Sequence, residues 1–157
     1  MKVQPTAPAL RSLPPAGRGA VLLDTGFLVS LIDDREPLHA AAVRWLSNHH
    51  GPLWSVPSVL VETAHFVPGW LRPQLARAAA TGLVRVSAPD AAGYARIGSL
   101  LEKYADAKPD WADIELIWLA EAAGIHRVAT LDAADFGVYR IHGRRAFDIV
   151  WPPGTIT

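Results

Sequence analysis

The sequence predicts an α/β fold: a central, mostly parallel sheet with helices on both faces. Three observations point to it. Short apolar runs suited to buried strands alternate with longer segments that carry apolar residues at helical spacing. The connections are short, and neighbouring parallel strands need crossovers, which are usually helical. Half of the 157 residues are apolar and 19% are charged, which suits one domain with its own core and is too apolar for a disordered chain.

Residues 1–18, rich in proline and glycine, read as a flexible tail, and one domain is expected over 19–154. The tail has basic residues but no apolar segment of the secretory type. A buried strand is expected over 20–23, punctuated by Asp24-Thr25-Gly26. Leu38, Ala41, Ala42, Trp45 and Leu46 share one side of a helix over 37–49, which Gly51-Pro52 follows. "LWSV" reads as the second strand. Ser58 is the expected N-cap of a helix reaching Phe66, and Pro68-Gly69 breaks it. A helix over 72–80 stops at Gly82, and "LVRVSA" alternates as a third strand.

Pro89-Asp90 opens a helix to about Tyr104, and Asp110 or Trp111 opens another that Gly124 ends. "RVATLD" is a strand ending in an acid, followed by a turn over 133–136. "RAFDIV" is the last strand, before Pro152-Pro153. No apolar stretch reaches the roughly 18 residues that a membrane-spanning helix needs.

In such sheets, ligands sit beyond the carboxyl ends of the strands. That rule selects the acids that matter. Asp24 and Asp132 each end a strand, and each also suits a helix N-cap. Glu62 interrupts the apolar segment "VPSVLVETAHFV", where a carboxylate must face solvent, find a partner or hold a metal. Asp110 and Asp113 stand at the mouth of an apolar helix, as cap and third helical residue. Glu115 reads as facing water, and Asp135 as a surface or turn residue. Asp24, Glu62, Asp113 and Asp132 should meet at one sheet edge, where four carboxylates repel unless a cation relieves them. Hard oxygen ligands suit magnesium or manganese.

Other chemistries fit less well. The chain has no cysteine, so thiolate sites and disulfides are excluded. Its six histidines show no two-histidine spacing of a zinc or general-base nuclease site. Asp24-Thr25-Gly26 does not supply the Asp-x-Asp pair of a phosphatase on a similar sheet. Formal net charge is zero, so a nucleic-acid partner must be gripped locally or through metal. Arg35, Lys108, Arg140, Arg144 and Arg145 are the loop cations expected near the rim, and Trp111 is an expected base-stacking surface.

"LLDTGFLVSLID", "EPLHAAAVRWL", "VPSVLVETAHFV" and the long stretch "YADAKPDWADIELIWLAEAAGIHRVATLDAADFGVYRIHGRRAFDIV" together resemble the PIN-domain nucleases. Within them they resemble the VapC-type toxins of toxin–antitoxin pairs, from about Gly19 to Gly154. The resemblance implies a Rossmann-like α/β/α sandwich and a magnesium- or manganese-dependent endoribonuclease. It places Asp24, Glu62, Asp113 and Asp132 at the family's four acidic positions. Thr25 and Thr130 match hydroxyl positions near metal or phosphate, and Asp110 matches an often acidic outer position. It further implies an RNA substrate, a cognate antitoxin, a homodimer and a cytoplasmic location. Two departures are local: "TLDAADF" lacks the Arg or His common after this Asp, and Glu115 stands where a small residue is common. The alternative is a PIN-like interaction module with weak or no catalysis.

Overall fold

The computed structural model describes residues 13–154. Positions 1–12 of the expected tail, and residues 155–157, lie outside the described residues. Residues 13–18 run against the body: Leu13 and Ala16 pack on the core, and Trp54 Nε1 donates to the Ala16 carbonyl at 2.9 Å.

The chain forms β1 (Val21–Leu23), α1 (Thr25–Ile32), α2 (His39–Asn48), β2 (Leu53–Ser55), α3 (Pro57–Phe66), α4 (Arg72–Ala80) and β3 (Arg85–Val86). It continues with α5 (Ala91–Lys103), α6 (Trp111–Ala123), β4 (Arg127–Ala129), α7 (Ala133–Val138), β5 (Arg140–Ile141), β6 (Arg145–Ala146) and β7 (Asp148–Trp151). The main sheet has five strands in the order β3-β2-β1-β4-β7. Every neighbouring pair in it is parallel. From β1 the chain works outward to β3, then returns to β4 on the other side of β1. Parallel neighbours need crossovers, which are right-handed as a rule, and the helices that make them flank the sheet, giving the expected α/β/α layers. The reversal lies between β1 and β4, where a crevice opens at the strand carboxyl ends.

Local chemistry fixes the helix starts that matter. Asp24 caps α1 by accepting from Thr25 N at 2.8 Å, and Asp90 caps α5 by accepting from Gly93 N at 2.8 Å. Residues 112–120 of α6 are all buried, so this helix is enclosed on every side, with Asp113 and Glu115 the carboxylates within it. Gly124 ends it at φ 70°, a left-handed conformation that glycine adopts without side-chain strain.

Four expectations are corrected. Val56, not Ser58, is the N-cap of α3, because Pro57 takes the first helical position and Ser58 the second. The helix expected over 37–49 begins at His39. The turn expected over 133–136 continues as α7. "RAFDIV" is not one strand. β6 pairs antiparallel with β5, and only β7 joins the main sheet. The cause is a tight turn at His142 (φ 50°) and Gly143 (φ 70°), closed by Arg144 N donating to the Ile141 carbonyl at 3.1 Å. Two left-handed residues fold β5 directly back on β6. Phe147 then turns inward, edge-on to Phe136 with centroids 5.2 Å apart, and separates the two strands.

Candidate metal centre

One cavity of roughly 370 Å³ opens at the crevice, and Asp24, Glu62, Asp110, Asp113 and Asp132 all line it, with Thr25 beside them. These acids come from separate places: the end of β1, the middle of α3, the start of α6 and the loop after β4. Asp24 and Asp113 are buried, at 6% and 4% exposure.

Asp24 is the best-held member. Thr25 N donates to its Oδ1, and the Thr130 hydroxyl donates to its Oδ2 at 2.6 Å. Thr130 Oγ1 also accepts from Asp132 N at 2.9 Å, so one buried hydroxyl ties the two strand-end acids together. Tyr139 OH donates to Asp113 Oδ2 at 3.3 Å, which pins the third acid from α7's C-terminal side. Asp110 occupies the N-cap position of α6 but makes no side-chain cap bond, leaving its carboxylate on the cavity wall. Gly26 sits close against Leu131: a Cβ there would approach the Leu131 side chain at 2.9 Å, which is why the turn after Asp24-Thr25 has no side chain.

The acids are held against their own charge. Burial raises the pKa of Asp24, opposed by the hydrogen bonds from Thr130 and Thr25. Burial also raises Glu62, helped by the charges of Asp24 and Asp110. Asp113 is pushed up to about 8, by burial first and then by Asp24, Asp132 and Asp110. Asp132 is raised by burial and by neighbouring Asp135. Tyr139 is raised by its burial and by Asp113, so it remains a neutral donor.

The donor set fits a hard divalent cation. It is carboxylate throughout, and among the described residues no lysine, arginine or histidine lines the cavity to balance it. The Thr25 hydroxyl is buried and lacks a partner in hydrogen-bond geometry, although it lies near enough to Glu62 to ease that carboxylate's charge. A ligand shell of ion-bound water would satisfy such a group.

Glu115 stands elsewhere than the sequence suggested, and Asp135, exposed at the surface as expected, has a further neighbourhood. Asp135 joins the cluster: one oxygen from each of Asp113, Asp132 and Asp135 lies within 4.8 Å of the others. Its signal was the spacing, since Asp132 and Asp135 repeat the three-residue step of Asp110 and Asp113 at a helix start. Glu115 does not face water. It is buried at 3% exposure and accepts from Ser58 N at 3.1 Å and from the Ser58 hydroxyl.

Two of the five expected rim cations are less available than expected, while Lys108, Arg144 and Arg145 are exposed. Arg35 is held by Asp33 through two hydrogen bonds of 2.9 and 2.8 Å. Arg140 donates to the Gly137 and Tyr139 carbonyls. Trp111 is half exposed beside Asp110.

The PIN domain family model matches residues 21–140. No curated protein matches the chain in sequence. Among solved structures, the fold is similar to Mycobacterium tuberculosis VapC20, a toxin that cleaves the sarcin-ricin loop. That likeness has TM-score 0.66 and 17% identity, over 72% of this chain and 90% of that one. FitAcB from Neisseria gonorrhoeae is similar at TM-score 0.52 and 19% identity, over 74% of this chain and 90% of that one. With the family model spanning the strands and helices that build the acidic cavity, the chain belongs to the PIN domain family.

Proposed function

We propose that the protein is a divalent-metal-dependent endoribonuclease, acting in the cytoplasm as the toxin of a toxin–antitoxin pair. The observation that carries the reading is the meeting of Asp24, Glu62, Asp110, Asp113 and Asp132 in one cavity at the sheet's topological switch point. Metal would be held by Asp24, Glu62, Asp113 and Asp132, with Asp110 and Asp135 in outer positions. Magnesium or manganese bound there supplies a water activated near neutral pH and a positive charge for the developing phosphorane oxygens.

The chain's own groups do the rest. Thr130 fixes Asp24 and the backbone of Asp132 in one arrangement, so the ligands need little reorganisation. Tyr139 orients Asp113 through its neutral hydroxyl. Thr25 offers its hydroxyl, beside Glu62, to a substrate phosphate oxygen. Trp111 offers an exposed ring for a base. No histidine lines the cavity among the described residues, which favours water attack, giving 5′-phosphate and 3′-hydroxyl ends, over attack by the ribose 2′-hydroxyl.

The partners follow from the same reading: RNA as substrate, an antitoxin that covers the acidic cavity, and a second copy of the chain. Val61, Phe66 and Trp70, all more than half exposed along α3 and the turn after it, supply apolar surface for such contacts. The test is cleavage of RNA by purified protein with magnesium or manganese, with the end groups mapped. Asp24→Asn and Asp113→Asn are expected to abolish cleavage and growth inhibition. Growth inhibition that survives both substitutions would instead support the interaction-module alternative.

A further inference from the structure

Glu115 is a buried carboxylate that the cavity does not use. It lies in the all-buried stretch of α6, two residues beyond Asp113 and therefore on a different side of the helix. A charge in such a place persists only when paired or hydrogen-bonded. Its partners are both on one residue of another helix: Ser58 N donates to Oε2 at 3.1 Å, and the Ser58 hydroxyl donates to the same oxygen. Ser58 is the second residue of α3, whose N-cap, Val56, has no side chain able to cap. Glu115 thus satisfies an amide that α3 cannot satisfy itself, and the helix dipole favours its negative charge there.

The consequence lies one turn further on. Ser58 and Glu62 are four residues apart, on the same face of α3. Asp113 and Glu115 share the first turns of α6. The Ser58–Glu115 contact therefore fastens the helix that carries Glu62 to the helix that carries Asp113, four residues from the one acid and two from the other. We propose that Glu115 is a positioning residue, which sets where Glu62 stands relative to Asp113 and so tunes the affinity of the acidic cavity for its cation. The proposal rests on the metal-dependent reading above.

Mn2+ binding to the purified protein, followed by electron paramagnetic resonance, is the test. Glu115→Ala is expected to weaken binding by about 10-fold or more, the range seen when a group supporting metal ligands is lost. At saturating Mn2+, kcat should fall while KM for RNA stays within about twofold. Glu115→Gln keeps an acceptor oxygen and should restore most of the affinity. Ser58→Ala, which keeps the amide bond, should fall between. Hydrogen exchange at the first-turn amides of α3 should rise in Glu115→Ala and not in Glu115→Gln. Folded Glu115→Ala with wild-type Mn2+ affinity would overturn the proposal, leaving Glu115 as a helix cap only. If Glu115→Ala does not fold, wild-type affinity in Ser58→Ala overturns it equally. A wild-type protein that takes up no Mn2+ would overturn the functional reading and this proposal together, whereas wild-type uptake with unaltered variants overturns this proposal alone.

Discussion

The proton held at Asp113 makes the metal-free protein less stable as pH rises. The carboxyl is buried and stands at about 8, against an ordinary value of 3.8. Between those values the folded protein keeps a proton that the unfolded chain has already released. Unfolding then releases a proton, so stability is fully present below about pH 4 and declines as pH climbs toward 8. Each pKa unit corresponds to about 1.36 kcal/mol, so the three units from pH 5 to pH 8 set a ceiling of about 4 kcal/mol. Relaxation and water entry reduce this, and about 2 kcal/mol is a fair expectation. For a chain of this length that is roughly 4–8 °C in Tm. The assay is thermal unfolding in chelator at several pH values, for the wild type and for Asp113→Asn. The asparagine mimics the protonated acid, so the difference between the two curves isolates this group. The wild type should lose Tm from pH 5 to pH 8 relative to the variant. Added Mn2+ should reverse the trend in the wild type, because binding displaces protons and tightens with pH. A difference curve that is flat, or that rises with pH, would refute the reasoning.

Other perturbations have definite outcomes. Thr130→Val removes the buried donor to Asp24 and the half-buried acceptor for Asp132 N; it should cost about 1–3 kcal/mol in denaturant unfolding and weaken Mn2+ binding. Asp135→Asn removes a charge that raises Asp132; the acid limb of Mn2+ binding should move to lower pH, read from affinities across pH 5–7. Tyr139→Phe loses the bond to Asp113 Oδ2; Mn2+ affinity should drop modestly, about tenfold, with the fold intact by circular dichroism. Gly124→Ala places a side chain at φ 70°; Tm should fall by a few degrees, about 1 kcal/mol, with cleavage unchanged.

Much of this molecule was legible locally. The alternation of apolar runs and helical spacing determined the parallel sheet, because a strand or helix reveals its period within a few residues. Asp24 and Asp90 declared helix starts, and Gly124 a helix end, through chemistry confined to one turn. The acids of the cavity could be picked out because strand ends in such a sheet must share one edge. The tertiary structure decided what depends on distant partners. Thr130 meets Asp24 across 106 residues, and Ser58 meets Glu115 across 57. No local pattern distinguishes a helical glutamate that faces water from one that caps a neighbouring helix, nor an arginine free to grip RNA from one already held by Asp33. The last strand divided for the same reason: the packing of Phe147 against Phe136, not the composition of "RAFDIV", determined where β6 ended and β7 began. Sequence encodes what each segment prefers alone, and burial and pairing between segments choose among those preferences.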